Sequence, residues 1–174
     1  MNIWHDIDQN RITPDDFIAC IEVSKGSRKK YELDKQTGLL FFDRLLQTAT
    51  RYPTNYGFIP RTLSEDGDPL DVLVICSEIV PFVLVRCRPI GVIKMLDNGK
   101  FDEKIIAVPC GDSRYNYEDI NDLPPFISEE IEHFLSVYKA LDKMPTEVKP
   151  IQCKDDAKMI IQESIDRYRK QFKK

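Results

Sequence analysis

At 174 residues, 42% hydrophobic and 31% charged, with a formal net charge of −4, the chain is too apolar for a disordered segment and reads as an ordinary folded protein. No apolar run approaches the roughly 20 residues of a membrane span, and the acidic balance argues against a nucleic-acid binder while leaving room for a local basic pocket. Length predicts one domain over 1–174, and the opening MNIWHDIDQNR, without the basic start and apolar middle of a secretion signal, points to the cytoplasm.

Residues 17 to 110 read as short strands separated by turn residues. FIACIEV (17–23), KKYELD (29–34) and LLFFDRLL (39–46) come first, with DKQTG as the turn between the second and third. LDVLVIC (70–76), FVLVRCRPIGVIKM (82–95) and KIIAVPC (104–110) follow. Val83, Val85 and Cys87 alternate with Leu84, Arg86 and Arg88, so one face turns inward and the other is partly polar. Pro89 interrupts a central-strand reading and predicts a bend or an edge. From Ser128 the period changes. Ile131, Phe134, Leu135, Tyr138 and Leu141 fall at helical spacing, with Glu129 and Glu130 in the first turn. Pro145 and Pro150 separate this helix from a second, opened by Asp155 or Asp156, whose stripe is Ala157, Ile160, Ile161, Ile165, Tyr168 and Phe172. Strands first and helices afterwards predict an α+β class, a small β-barrel with helices packed on it.

The cysteines Cys20, Cys76, Cys87, Cys110 and Cys153 form no C-x-x-C pair, and most lie in apolar runs, where a thiol behaves as a small hydrophobe. Cys110 and Cys153 stand apart as candidate accessible thiols. His5 and His133 make no ligand-spaced pair, so a histidine–cysteine zinc site is not expected.

Acidic residues gather where they are least expected. LSEDGDPLDVLVIC (63–76) places Asp66, Asp68 and Asp71 at the mouth of an apolar strand. The spacing is not that of an EF-hand, because the sixth and twelfth positions counted from Asp66 are Asp71 and Ser77. An acidic turn and a cage for hard cations fit equally well, with Gly67 and Pro69 shaping the backbone. Asp97 and Asp102 flank an Asn-Gly hairpin signal, which brings them near each other or simply makes a polar loop. Glu22 and Glu32 alternate with core residues, for which a wet face is the default reading. Lys30 shares a strand face with Glu32, and Lys104 with Asp102. Arg44 interrupts an apolar run, which is odd unless its guanidinium has something to bind. Tyr52 and Tyr56 bracket PTN, and Tyr138, followed by Lys139, also belongs to the helix stripe.

Taken in order, KYE, DR, YPTNYG, DGDPLDV, D-x4-D-x-K and YK resemble the soluble family I inorganic pyrophosphatases of bacterial type, over roughly 17 to 142. The resemblance implies a five-stranded OB-like barrel with flanking C-terminal helices. It implies hydrolysis of pyrophosphate to two orthophosphates with several Mg²⁺ ions, for which Mn²⁺ or Zn²⁺ can substitute. Asp66, Asp71, Asp97 and Asp102 would hold metal, and Asp68 would be the general base. Lys30, Arg44, Tyr56, Lys104, Tyr138 and Lys139 would hold the phosphates, supported by Glu22, Glu32 and Tyr52. The short chain resembles bacterial members that assemble as homohexamers, whereas MPTEVKPIQCKD departs from their tryptophan-bearing strand, since Trp4 is the only tryptophan here. The chemistry is coherent. Carboxylates alone would repel a multiply charged anion, whereas divalent ions bridge the two and acidify water, and Lys and Arg neutralise the phosphoryl oxygens. Two readings from other classes compete. One is a single-strand-binding barrel using Tyr52, Tyr56, Arg86 and Arg88, and the other is a metal-stabilised structural protein. The alternative activity is a nucleotide pyrophosphohydrolase.

Overall fold

Near-continuous apolar runs such as FIACIEV make strands that bury both faces, and pairing them closes a ring. In the computed structural model, which describes residues 1–172, β1 (Phe17–Val23) pairs antiparallel with β4 (Asn55–Ile59) along one edge and with β6 (Leu84–Asp97) along the other. Between them run β5 (Leu70–Val74) and β7 (Lys100–Pro109), so that β1, β4, β5, β7 and β6 return on themselves as five strands. Only the β5–β7 pairing in this ring is parallel. β2 (Lys29–Leu33) and β3 (Leu40–Leu45) form a separate two-stranded hairpin. β8 (Thr146–Val148) and β9 (Gln152–Cys153) add to β6. Helix α1 (Ile3–Asp6) precedes the ring; α2 (Pro125–Val137) and α3 (Lys154–Phe172) follow it.

The strand period of two divides the core into two clusters. Val72, Val74, Ile105 and Ala107 pack with the α3 stripe of Ala157, Ile160, Ile161, Ile165 and Tyr168. Their neighbours Leu73, Ile75, Ile106 and Val108 face the other way, into a cluster with Ile131, Phe134, Leu135 and Tyr138 at α2. That second face matters for function. Followed back along the strands, its next positions are Asp71 on β5 and Lys104 and Asp102 on β7, with Asp71 and Lys104 in register.

The structure departs from several sequence expectations. β4 carries no strong strand signal because Gly57 lies at its centre, yet a Cβ there would sit 1.9 Å from the Cys20 carbonyl oxygen. Glycine is what lets β1 and β4 approach. At Pro89 the strand does not end: β6 stays paired with β7 past it, through a register shift between Pro89 and Gly91 that supplies the expected bend. α2 begins at Pro125, whose missing N–H costs nothing in the first turn, so Glu129 and Glu130 lie beyond that turn. It ends before Tyr138, and Leu141 is exposed rather than part of a buried stripe. α3 starts at Lys154, with both Asp155 and Asp156 in its favourable first turn. The atypical segment before α3 supplies β8 and β9. Cys20, Cys76 and Cys87 are buried, Cys110 is exposed, and half-buried Cys153 donates its thiol to Asp156 at 3.1 Å. Among the described residues no helix is long and apolar enough to cross a membrane.

Candidate active site

Four local structures converge on one open cavity of about 400 Å³. In the loop before β5, the Asp68 N–H donates to Asp66 Oδ1 at 3.0 Å, the Ser64 N–H donates to the Asp68 carbonyl, and Gly67 takes φ +88°. This tight turn holds Asp66 and Asp68 at the rim. The Asn98–Gly99 turn, with both φ values positive, joins β6 to β7 and brings Asp97 and Asp102 to the same end of the ring. The residues that follow α2 deliver Tyr138 and Lys139. The β2–β3 hairpin closes the remaining side with Lys30 and Glu32.

Lys104 is the centre of this arrangement. Its side chain is 2% exposed, and its ammonium donates to Asp71 Oδ2 at 2.7 Å, Asp102 Oδ2 at 2.9 Å and Tyr56 Oη at 3.0 Å. Burial opposes its charge, but Asp102 and Asp71 outweigh that cost and hold its pKa well above the ordinary lysine value. Burial pushes the Asp102 carboxyl up, against the pull of Lys104. It likewise raises Asp66, less the effect of the Asp68 N–H. Burial also drives the Tyr56 hydroxyl pKa well up, helped by Asp71.

Glu22 does not lie on a wet face. It is buried on β1, accepts the Leu33 N–H at 2.8 Å and thereby ties the hairpin to the ring. Burial, and then Asp71, lift its pKa well above the ordinary value. Glu32 does stay exposed, 3.1 Å from Lys30. Lys30 also donates to Asp43 at 2.6 Å; burial lowers its pKa, but the bonds to Asp43 and Glu32 leave it raised. Lys139 pairs with Asp97 and lies over the Tyr138 ring, which itself stacks on Phe134 at 4.9 Å. Tyr138 therefore both packs and lines the cavity.

Every residue the resemblance assigns to the site lines this cavity except Tyr52 and Arg44. Tyr52 is buried one layer back, its ring 5.4 Å from that of Tyr56 and 4.8 Å from Phe134, so it backs the wall without forming it. Arg44 turns away towards Asp43 and Asp142. Three residues escaped sequence reasoning: Lys35, which lines the cavity and pairs with Asp68, together with Asp43 and Asp142. Asp43 was inside the DR motif, but the strand alternation places neighbours on opposite faces. The register shift between Lys30 and Tyr31 leaves Asp43 as an extra residue and lets it reach Lys30.

The balance of charge decides what the cavity can bind. Seven carboxylates (Glu22, Glu32, Asp66, Asp68, Asp71, Asp97 and Asp102) face four lysines (Lys30, Lys35, Lys104 and Lys139). Such a wall repels a phosphate until cations offset the acidic excess. The donors are all oxygens, the set preferred by hard divalent ions. Among the described residues no three acidic, histidine or cysteine side chains stand close enough to hold an ion between them. That arrangement suits a cation that takes one or two carboxylates and fills its shell with water and ligand oxygens.

A family model described as inorganic pyrophosphatase matches residues 19–169. The chain is 44% identical over 172 residues to soluble inorganic pyrophosphatase 2 of Chlamydomonas reinhardtii, covering 97% of this chain and 89% of that protein. It is 45% identical over 167 residues to soluble inorganic pyrophosphatase 1 of Arabidopsis thaliana, covering 95% and 79%. The crystal structure of inorganic pyrophosphatase from Thermus thermophilus superposes with a TM-score of 0.92 at 37% identity, over 97% of this chain and 99% of that one. With the closed ring, the acidic loop before β5 and the buried Lys104 already in place, these likenesses show that the chain belongs to the inorganic pyrophosphatase family.

Proposed function

We propose that this protein hydrolyses inorganic pyrophosphate to two orthophosphates in the cavity at the end of the ring, with Mg²⁺ as its working ion and Mn²⁺ or Zn²⁺ as substitutes. The observation that carries the reading is the mixed wall itself: carboxylates and lysines interleaved around a space open to solvent, each lysine matched to a carboxylate. Asp66, Asp71, Asp97 and Asp102 hold the divalent ions, which when bound offset the acidic excess and lower the pKa of water. Once the carboxylates are so engaged, the ammonium groups of Lys30, Lys104 and Lys139 are available to phosphate oxygens. Tyr56 and Tyr138 add hydroxyls, and the fork of Arg44 grips two oxygens. Asp68 is the general base. Lys35 engages its Oδ1, which leaves Oδ2 to take the proton of the attacking water. Glu22, Glu32 and Tyr52 hold this wall in place.

Residues 1–174 act as one domain. The chain matches the Thermus protein over nearly its full length, and the proposed assembly is a homohexamer in the cytoplasm; sedimentation of the purified protein tests the assembly.

The decisive measurement is phosphate release from pyrophosphate, ATP and a nucleotide sugar, each with and without Mg²⁺. Release from pyrophosphate alone, and only with the ion, is expected. A preference for ATP or the sugar would turn the assignment to a nucleotide pyrophosphohydrolase. Asp68→Asn should fold normally and lose about 10²–10⁴-fold in kcat, and near-normal turnover would remove Asp68 from its role.

A further inference from the structure

Outside the cavity wall, three charged side chains, Arg28, Arg44 and Asp142, each leave a buried atom without a hydrogen bond, and two of them belong to the same pair. Arg44 Nε and Asp142 Oδ2 are both buried and unpartnered among the described residues. Arg44 Nη1 stands 3.7 Å from Asp142 Oδ2, and its Nε stands 3.8 Å from Asp43 Oδ2, an oxygen already taken by Lys30 at 2.6 Å. All these distances to Arg44 exceed a hydrogen bond. Native structures rarely leave such atoms unmet, and each one calls for a physical reason, a functional role among them. The pair also joins two parts of the site that are far apart in sequence. Arg44 is the cross-strand partner of Lys30 on the hairpin. Asp142 ends the single turn Ala140–Asp142 that follows Tyr138 and Lys139, and its N–H donates to the Lys139 carbonyl at 3.0 Å.

We infer that Asp142 is a positioning residue for pyrophosphate: it acts through Arg44, drawing Nη1 towards the Lys139 turn so that the Nε edge of the guanidinium is kept for an oxygen of the substrate. The fork of an arginine has two edges. One is steered by Asp142, and the other has no protein partner because Lys30 has claimed Asp43. Arg44 lies across the hairpin from Lys30, which lines the cavity, so the carboxylate beside it sets the direction of its guanidinium. The inference rests on the reading that Arg44 binds pyrophosphate.

Asp142→Asn removes the charge at nearly constant shape. It should raise KM for pyrophosphate about tenfold with kcat nearly unchanged, since misplacing a binding group by an ångström is costly. The affinity for the non-hydrolysable analogue imidodiphosphate, measured calorimetrically, should fall by the same factor. Asp142→Glu, which keeps the charge, should restore most of both. In an Arg44→Gln background, Asp142→Asn should add nothing. Equal KM effects of Asp142→Asn in both backgrounds, or no effect in the wild type, would overturn the inference while leaving pyrophosphate hydrolysis intact. Unchanged KM in Arg44→Gln alone would remove Arg44 as a substrate ligand, and the inference with it. Melting temperatures check that each variant is folded.

Discussion

The two sides of the cavity are built differently. On the ring side, Tyr56, Asp71, Asp97, Asp102 and Lys104 come from strands paired along both edges, and Lys104 is locked by three partners with almost no exposure. On the hairpin side, β2 and β3 pair only with each other, Lys30 and Arg44 keep 20% and 26% of their side-chain surface exposed, and the link to β1 runs through Glu22 and the Leu33 N–H. Burial separates these regions more than charge does, since both are rich in ion pairs. A buried ammonium with fixed acceptors cannot move without leaving uncompensated charge. A half-exposed lysine or arginine exchanges partners at little cost because water replaces what it loses. The ring thus fixes the positions of its charges, whereas those of the hairpin can exchange partners.

That contrast can be broken at several levels. The largest effect is expected from Gly57→Ala, because a Cβ 1.9 Å from the Cys20 oxygen forces β1 and β4 apart. The loss should be about 3 kcal/mol or more, read as a shift in the urea midpoint, and a native midpoint would show that the ring is not rigid there. Lys104→Met and Lys30→Met form the next test. The first strands Asp71 and Asp102 without their shared partner and should cost about 2–4 kcal/mol, whereas the second should cost less than about 1 kcal/mol, although both should raise KM for pyrophosphate. Equal losses of stability would erase the distinction between the two sides. The smallest effect belongs to a pair outside the cavity, between Asp16 and Arg86 of β6. The hydrogen bond from Arg86, opposed by slight burial, keeps the Asp16 carboxyl below its ordinary 3.8. A carboxyl lowered by folding adds stability above its unfolded pKa and loses it as pH falls through the folded value. Asp16→Asn should therefore cost about 0.5 kcal/mol at pH 6, for a solvent-screened pair, and the difference from wild type should shrink towards zero as the pH drops below 3. A difference that grew with acid would reverse the sign argued here.

Much of the ring side was legible because its signals are local. The Asn-Gly turn between β6 and β7, the i, i+2 spacing of Asp102 and Lys104, and the three aspartates around the start of β5 all lie within short stretches whose backbone geometry follows from residue type. The hairpin side was less legible. Whether Glu22 is wet or buried depends on β2 lying across it, and the reach of Asp43 depends on an irregularity in pairing that no residue pattern announces. Lys35 on Asp68 and Asp142 beside Arg44 join residues 33 and 98 positions apart. α2 begins at Pro125, three residues before the helical spacing shows at Ser128, because a proline at the first helical position is an ordinary beginning that carries no apolar period.

Composition, strand and helix periodicity, and the ordered motifs pointed by themselves to a strand ring followed by helices, and to most of the charged side chains that line its cavity. Periodicity assigns faces, and a motif within one turn carries its own geometry, so neither needs the rest of the molecule. Only the tertiary structure decided that Lys104 is sealed among Tyr56, Asp71 and Asp102, that Glu22 is buried, and that Arg44 waits behind the wall between two carboxylates it does not reach. Those facts are set by burial and by distances across the fold. Desolvation and partner geometry arise only when strands remote in sequence close on each other, and they fix which charges are held and which are free to move.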